Sequence, residues 1–395
     1  MQTILAFLIL LLPLDIAQKV CHSARNAENL PVSELHHLIQ SEIATGGPIS
    51  FARFMALALY HPGLGYYETG RNRVGFKGDF YTSVSTGELF GQLLAFRFAR
   101  WLEALPDKKD ELWLVEAGAH DGQLARDILG WLRGQRPELY GRLRYGIVDP
   151  SRERQAWQRE KLGDFGERVR WFADLASLMK PAGNIHGVIF SNELLDAMPV
   201  HRLGWNASRR VWFEWGVDWD GETFGWTKLA AENHGTLPIM DLPGELLAVL
   251  PDGYTIEVSP AAEAWWREAA GVLQQGKLLA IDYGFTQEEM ISPARTNGTL
   301  RAYYKHQFCE DLLANPGEQD LTAHVNFSAI QRAGEAAGLK TDGYLTQPQF
   351  LTGILGEAIK DSTFGEWTER RTRQFQTLTH PQHLGRSFKV LVQTR

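Results

Sequence analysis

Short apolar runs alternate with amphipathic stretches through the greater part of the chain. Runs at 112–116, 145–148, 187–190 and 277–281 have the length of buried strands, and polar residues follow each of them. Continuous apolar runs separated by helical patterns are typical of a parallel sheet that helices cover on both faces. The pattern therefore predicts an α/β fold, with 388–392 as a final strand.

Helical periodicity dominates the region before this sheet. Apolar side chains at positions 35, 38, 39 and 43 share one helix face, and those at 51, 54, 55, 58 and 59 share another, with Ser50 as the N-cap of the second helix. A third apolar helix begins near residue 89, after a polar loop at 78–83. We expect residues 31–110 to form an N-terminal helical region.

Between residues 201 and 258 the alternation of strands and helices is interrupted. Aromatic segments at 211–215 and 224–226 flank a turn at 218–221, which is typical of short antiparallel strands. Ser259 and Pro260 then provide an N-cap and a first-turn proline for the next helix. The sequence predicts a β subdomain inserted at about 201–258 into a unit of residues 111–395.

The composition is that of a globular protein without a strong preference for charged partners. Of 395 residues, 44% are hydrophobic, including 13 tryptophans and 20 phenylalanines, and the net charge is −7. This charge gives no bulk attraction to nucleic acid or to an anionic membrane. Cys21 and Cys309 lie far apart and lack the spacing of metal ligands. We expect no metal centre, no nucleic acid or membrane partner, and a cytoplasmic location.

An apolar run at 4–14, near the N terminus, is too short to span a bilayer. It could be the core of a signal peptide, but no Lys or Arg precedes it and no convincing cleavage site follows. A wrongly assigned start codon would explain it equally well. We expect residues 1–30 to be an apolar leader or a disordered extension outside the fold.

A glycine-containing turn joins the first predicted strand to a helix. Gly118 and Gly122 can adopt backbone angles that other residues avoid, and Glu116 ends the strand beside them. The spacing alone also occurs in turns that bind no ligand. Because position 120 is histidine, the turn lacks the G-x-G-x-x-G fingerprint of NAD sites. We predict that Gly118 and Gly122 shape a cofactor pocket and that Glu116 bonds to loop amides or to the cofactor's amino group.

Asp149 follows the second predicted strand. An acidic residue at this place commonly binds the ribose hydroxyls of NAD or of S-adenosylmethionine. Since S-adenosylmethionine has no phosphate to hold, the glycine turn favours it over NAD. The alternative is that Asp149 is only a turn residue before Pro150.

Polar side chains are concentrated after the third predicted strand, at Asn192, Glu193 and Asp196. Asn192 would contact the cofactor, while Glu193 and Asp196 would hold a cationic substrate in line with a transferable methyl group. Alternatively, Asn192 caps a helix and Asp196 is solvated in its first turn. On the N-terminal side, Asp79 and Thr82 would either close over the cofactor or cap the third helix.

Several motifs resemble those of the MidA family, in consistent order from about residue 35 to the C terminus. They are Gly78-Asp-Phe-Tyr-Thr-Ser83, Val115-Glu-Ala-Gly118, Ser191-Asn-Glu-Leu-Leu-Asp-Ala-Met-Pro-Val-His-Arg202, Glu257-Val-Ser-Pro260, Ile281-Asp-Tyr-Gly284, Gly298-Thr-Leu-Arg-Ala-Tyr303 and Pro316-Gly-Glu-Gln-Asp-Leu-Thr-Ala-His-Val-Asn-Phe327. One departure is His120, which replaces the middle glycine of the family's usual Glu-x-Gly-x-Gly-x-Gly loop.

The resemblance implies a Rossmann-like class I S-adenosylmethionine-dependent methyltransferase fold, to which the N-terminal helices and the β insert are additions. It implies S-adenosylmethionine as cofactor and, for mitochondrial members, an arginine of a respiratory-complex subunit as methyl acceptor. We therefore expect a protein arginine N-methyltransferase with a role in the assembly of a protein complex. The alternative is an assembly or binding protein that has kept the fold and lost the activity, for which His120 is the only sequence support.

Overall fold

A central sheet of eight strands organises the fold. The computed structural model describes residues 33–69, 82–105, 111–229, 242–304, 307–385 and 387–395. The predictions for residues 1–30 and for Asp79 lie outside these ranges. Each predicted strand of the α/β region is present, and each extends beyond its apolar run.

Strands and helices are numbered here in chain order. The strands are β1 (Ile49–Ser50), β2 (Leu112–Ala117), β3 (Leu143–Val148), β4 (Val169–Phe172), β5 (Ile185–Asn192), β6 (His201–Asn206), β7 (Val211–Trp219), β8 (Phe224–Lys228), β9 (Thr255–Val258), β10 (Leu273–Phe285), β11 (Arg301–Tyr304), β12 (Gln307–Cys309), β13 (Asp320–Thr322), β14 (Val325–Asn326), β15 (Lys340–Thr346) and β16 (Phe388–Thr394). The helices are α1 (Glu34–Gly46), α2 (Phe51–Tyr60), α3 (Tyr66–Thr69), α4 (Leu89–Glu103), α5 (Gln123–Gln135), α6 (Pro137–Arg142), α7 (Arg152–Leu162), α8 (Leu175–Ala182), α9 (Gly244–Val249), α10 (Pro260–Val272), α11 (Gln287–Met290), α12 (Phe327–Ala336), α13 (Gln347–Ala358) and α14 (Glu369–Thr379).

The strand order of the central sheet is β15-β16-β10-β5-β2-β3-β4, and β14 pairs with the end of β10. Strands β4, β3, β2, β5 and β10 are parallel, whereas β16 is antiparallel to both of its neighbours. The chain leaves β2 toward β3 on one side and later returns on the other side at β5. In open α/β sheets, ligands bind beyond the carboxyl ends of the strands at such a reversal. The ends of β2 and β5 are therefore the expected ligand site.

Helices cover both faces of the central sheet, which explains the continuous apolar runs. All six residues of β2 are buried. Leu112 and Leu114 belong to a core cluster with α4, α5 and α13, while Trp113 and Val115 belong to another with α8, α10 and α12. Because successive side chains of a strand point to opposite faces, a strand between two helical layers needs apolar residues at every position.

A second sheet, with five antiparallel strands, contains the segment that interrupts the strand and helix alternation. Its order is β1-β7-β6-β9, and β8 also pairs with β7. The antiparallel strands expected between 201 and 258 are confirmed as β6, β7, β8 and β9. The short strand β1 comes from the N-terminal region, where Ile49 pairs with Val217. The sequence does not predict this pairing, because two residues are too few to show a period.

The N-terminal helices pack against the second sheet. Phe51 and Phe54 of α2 share a core cluster with Val217 of β7, and the rings of Phe51 and Trp226 lie 5.1 Å apart. The position of α2 is therefore fixed by a sheet whose strands come much later in the chain. As a result, Tyr60 at the end of α2 lies beside the ends of the central strands.

Side-chain caps begin two helices as the sequence predicts. The hydroxyl of Ser50 accepts a 3.1 Å hydrogen bond from the backbone N–H of Arg53. The hydroxyl of Ser259 accepts from the backbone N–H of Ala262 at 3.2 Å, and Pro260 occupies the first turn. A cap of this kind satisfies a backbone donor that has no partner within the helix, and it contributes about 1 kcal/mol.

Candidate active site

A cavity of about 650 Å³ lies at the carboxyl ends of β2 and β5. This volume is within the range of sites that bind small molecules and cofactors. Six of the predicted site residues line the cavity: Thr82, Glu116, Gly118, Asn192, Glu193 and Asp196. The structure thus brings together residues from three separate segments of the chain.

Two of the other predicted site residues, Gly122 and Asp149, do not line this cavity. Gly122 is the N-cap residue of α5, with a φ of 85°. Asp149 is buried, with its carboxylate bound to other side chains. Asp79 lies outside the described residues.

Close packing explains why position 118 is glycine. Gly118 has a φ of 74°, and a Cβ atom placed on it would lie 2.8 Å from Cδ1 of Leu194. The glycine loop therefore packs directly against the turn that carries Glu193 and Asp196. A larger residue at this position would strain the positive φ and force the side chain of Leu194 to shift.

His120 adopts a left-handed conformation, with a φ of 45°, where the MidA family usually has glycine. Its backbone carbonyl accepts a 2.9 Å hydrogen bond from Nε2 of Gln158, and the residue lines the cavity. Beside it, Lys161 donates to the carboxylate of Asp121. Burial alone would raise the pKa of Asp121, but hydrogen bonds from His120 and Lys161 lower it overall. Side chains of α7 thus hold the loop in shape without the glycine.

Two acceptor groups lie beside the glycine loop. Glu116 is buried and accepts a 2.6 Å hydrogen bond from the hydroxyl of Tyr145. Burial raises the pKa of Glu116 to about 8, so this carboxyl group is mostly protonated at neutral pH. Within the described residues, the buried Oδ1 atom of Asn192 has no hydrogen-bond donor. An ammonium group in the cavity would favour ionisation of Glu116 and supply the donor that Asn192 lacks.

Asp149 lies directly after β3, as predicted, and its carboxylate faces a guanidinium group. Nη2 of Arg154 lies 2.7 Å from Oδ1 of Asp149, and Nε2 of Gln158 lies 2.9 Å from Oδ2. Oδ1 also accepts from the backbone N–H of Ser151, as expected for a turn residue. Arg154 pairs with Glu68 at 3.1 Å and lines the cavity. The guanidinium of Arg154 therefore stands between Asp149 and the second carboxylate, Glu68.

The turn after β5 has an uncommon backbone conformation. Glu193 has a φ of 53°, which only a few per cent of non-glycine residues share. The carboxylate of Asp282, on the neighbouring strand β10, accepts hydrogen bonds from the backbone N–H groups of Leu194 at 3.1 Å and Leu195 at 2.8 Å. Asp282 thereby fixes the turn that places Glu193 and Asp196 at the cavity.

Carboxylates are concentrated at this end of the cavity. Asp196 and Asp320 are buried, and Glu193 is half-buried. Burial and then the charge of Asp282 raise the pKa of Glu193 to about 8, and the same two causes raise the pKa of Asp196. The charge of Asp320 adds to both effects. Since neighbouring carboxylates repel unless protons or a cation intervene, this end of the cavity suits a cationic ligand.

Two alternatives that the sequence left open are wrong. Asn192 does not cap a helix, because residues 193–200 contain no helix and lead into β6, and Asp196 is buried rather than solvated. Thr82 does not cap α4. Its hydroxyl accepts a hydrogen bond from the backbone N–H of Ser85, in the short 3₁₀ turn that precedes the helix.

Sequence reasoning missed several residues of the site. Tyr60 and Tyr67 flank a helix break and line the cavity, but nothing in their local pattern indicates chemistry. Arg154 is one of many charged residues in α7. Asp282 and Asp320 lie within motifs shared with the MidA family, so their place in those motifs was the available signal.

The parallel sheet with its reversal, the glycine loop and the adjoining cavity define a class I S-adenosylmethionine-dependent methyltransferase. A family model described as "Putative S-adenosyl-L-methionine-dependent methyltransferase" matches residues 93–345. The chain belongs to this family, in agreement with the resemblance of its motifs to the MidA family.

Relatives and solved structures agree with this assignment. A protein from Burkholderia thailandensis, solved with bound S-adenosyl-homocysteine, is 34% identical with a TM-score of 0.76, covering 91% of this chain and 92% of that one. The mitochondrial protein arginine methyltransferase NDUFAF7 of Danio rerio is 27% identical over 92% of this chain and 87% of the relative. Its human counterpart is 27% identical over 92% of this chain and 83% of the relative. The protein is an S-adenosylmethionine-dependent methyltransferase.

Proposed function

We propose that the protein transfers the methyl group of S-adenosylmethionine to a guanidinium nitrogen of an arginine side chain in a protein. The observation that carries this proposal is the group of carboxylates, Glu193, Asp196 and Asp320, on one side of the cofactor cavity. The relatives of this chain that are named protein arginine methyltransferases support the same acceptor.

Arginine suits these carboxylates because its guanidinium is permanently charged and carries five N–H donors in a planar fork. Carboxylates from separate segments can bind different edges of the fork and hold one nitrogen in line with the methyl donor. When bound, S-adenosylmethionine supplies a methyl group activated by a positively charged sulfur. Methylation releases one proton from the nitrogen, and we assign the acceptance of this proton to a carboxylate oxygen of Glu193. Burial raises the pKa of Glu193 to about 8, so this group is mostly protonated at neutral pH until a bound guanidinium favours its ionised form, which then accepts the proton.

The surroundings of the glycine loop fit the methionine part of the cofactor. We assign the carboxyl group of Glu116 and Oδ1 of Asn192 to the amino group of S-adenosylmethionine. Within the described part of the chain, the buried Oδ1 has no donor, and the amino group of the cofactor would supply one. Gly118 and Gly122 allow the backbone conformation that brings the loop beside the ligand.

Asp149 is assigned to the ribose together with Arg154. Because Arg154 lines the cavity and Asp149 does not, the guanidinium contacts the cofactor and the carboxylate holds the guanidinium in place. Thr82 is assigned to the cavity rim. For Asp79, the proposal that it closes over the cofactor rests on the sequence.

A protein that keeps the fold and has lost the activity is the second candidate, and His120 is the observation that favours it. The loop nevertheless keeps a left-handed conformation at His120, and α7 holds it by hydrogen bonds. The cavity and its acidic residues are also present. These features favour an active enzyme.

The acceptor protein is proposed to belong to a multi-subunit complex, as the resemblance to the MidA family implies. Within the described ranges, no helix has both the length and the apolar surface needed to cross a bilayer. We propose a cytoplasmic location for the protein, whereas the names of its animal relatives place those proteins in mitochondria.

Incubation of the full-length protein with radiolabelled S-adenosylmethionine and a protein extract tests the proposal. We expect label in protein, and acid hydrolysis followed by chromatography should recover it as methylarginine. Label on another amino acid would exclude the proposed acceptor. Binding of S-adenosylmethionine without any transfer would favour the second candidate.

The matched controls for this assay are two glutamate variants. Glu193→Gln keeps the size of the side chain and removes its ability to ionise at the cavity. Glu222→Gln makes the same change at an exposed turn of the second sheet. Transfer should fall in the first variant and stay unchanged in the second.

A further inference from the structure

We propose that Asp320 is a substrate-binding carboxylate that contacts the guanidinium of the target arginine, and that Tyr67 positions it. This inference rests on the proposed function, because it concerns the way in which the acceptor is bound. It assigns to Asp320 a direct contact with the guanidinium, in addition to those of Glu193 and Asp196, and it gives the N-terminal helical region a part in substrate recognition.

The first observation is the position of Asp320. It is the first residue of β13, it is buried, and it lines the same cavity as Glu193 and Asp196. Strand β13 is antiparallel to β11, with Asp320 opposite Tyr303, another residue of the cavity. A segment outside the central sheet therefore completes the substrate end of the site.

The second observation is the contact between Asp320 and Tyr67. The hydroxyl of Tyr67 donates a 2.7 Å hydrogen bond to Oδ1 of Asp320. This hydrogen bond fixes the orientation of the carboxylate at the cavity. Tyr67 belongs to α3, 253 positions earlier in the chain, so the contact is a product of tertiary packing.

Tyr67 is itself held from two sides. Its ring stacks on that of Tyr60, with centroids 5.6 Å apart and an angle of 29° between the planes. Its backbone carbonyl accepts a 3.3 Å hydrogen bond from Nη1 of Arg154. These contacts hold the ring of Tyr67 in place and thereby fix the position of its hydroxyl. A residue that positions another side chain must itself be held in this way.

Electrostatics place Asp320 close to the other carboxylates. After burial and Asp282, the charge of Asp320 is among the causes that raise the pKa of Glu193 and Asp196. Each of these carboxyl groups disfavours the ionised form of the others, and a bound guanidinium would favour the ionised forms.

Binding of a blocked arginine, N-acetyl-L-arginine methylamide, to the full-length protein saturated with S-adenosyl-homocysteine tests this inference. Asp320→Asn should weaken binding at least tenfold, because hydrogen bonds to a charged partner are lost. Tyr67→Phe keeps the ring and should weaken binding about threefold by releasing the carboxylate. Asp320→Glu, which restores the charge, should recover part of the affinity.

Tyr254→Phe is the matched control. Its hydroxyl is hydrogen-bonded to the backbone of Ser292 in the second sheet region, and it does not line the cavity. It should leave arginine binding within twofold of wild type. Blocked lysine provides a second comparison, because a lysine ammonium lacks the planar fork. Asp320→Asn should therefore reduce the preference for arginine over lysine, which general destabilisation would not do.

The outcomes separate this inference from the proposed function. If wild type binds and methylates arginine but Asp320→Asn and Tyr67→Phe match it in affinity, the inference is wrong and the proposed function stands. If wild type transfers methyl groups only to another residue type, both are wrong. Loss of S-adenosyl-homocysteine binding together with arginine binding in both variants would show a structural role and would also overturn the inference.

Discussion

The buried carboxyl group of Glu116 should make the stability of the protein depend on pH. Glu116 lies at the end of β2, and its hydrogen bond comes from Tyr145. Burial raises its pKa from the ordinary 4.5 to about 8. Glu116→Gln keeps the shape of the side chain and an acceptor for the Tyr145 hydroxyl. The variant therefore removes the titration and leaves the packing intact.

The sign of the effect follows from the higher pKa of the folded state. The contribution of Glu116 to stability is complete below about pH 4.5, where the unfolded chain is also protonated, and it is lost as the pH rises through about 8. Each pH unit in this window lowers the free energy of unfolding by about 1.4 kcal/mol. Over the whole window the loss amounts to roughly 5 kcal/mol. In Glu116→Gln this loss is absent.

Urea unfolding followed by tryptophan fluorescence measures the difference directly. Between pH 5.5 and pH 8, the free energy of unfolding of Glu116→Gln should rise relative to wild type by roughly 3 kcal/mol. Glu268→Gln, on the exposed face of α10, serves as control and should follow the wild-type curve. Parallel curves for wild type and Glu116→Gln would refute the reasoning, because they would mean that Glu116 titrates normally in the folded protein.

Three further substitutions address the cofactor and the acceptor. Gly118→Ala should lower cofactor affinity more than tenfold, measured by calorimetry, and should lower the free energy of unfolding by about 1–2 kcal/mol. The reason is that alanine disfavours the φ of 74° and contacts Leu194. Unchanged affinity would show that the loop does not touch the ligand. Glu193→Gln should lower kcat/KM for an arginine acceptor about 100-fold and leave the cofactor Kd within twofold of wild type. If cofactor affinity fell by the same factor as kcat/KM, Glu193 would not be assigned to the acceptor. Asp149→Asn should weaken cofactor binding about tenfold, because Arg154 loses a charged partner; a folded variant with wild-type affinity would contradict the ribose assignment.

The elements of the central sheet could be predicted because burial on both faces leaves a local signature. Leu112 to Val115 are apolar at every position, so the strand is recognisable without its neighbours. The cavity residues at the ends of these strands could also be predicted, because the carboxyl ends of parallel strands lie at the same edge of the sheet. Glu116, Asn192 and Glu193 were found in this way.

Residues that reach the site through tertiary packing could not be predicted. Tyr67 meets Asp320 only because α3 is carried there by the packing of the N-terminal helices. The orientation of Asp149 toward Arg154 is also invisible in the sequence, because it depends on a side-chain rotamer within α7. Local patterns specify the strand ends, whereas the partners of their side chains depend on the whole fold.

The pairing of β1 with β7 has a consequence for the protein during its synthesis. Ile49 and Val217 are about 170 residues apart, and the apolar face of α2 is buried only when both strands exist. At ribosomal rates of roughly 5–20 residues per second, Phe51 and Phe54 emerge on the order of ten to thirty seconds before their partner strand. During that interval the nascent chain exposes the apolar face of α2, because the strand that buries this face has not yet been synthesised. We therefore expect a chaperone to protect α2 until β7 has been synthesised.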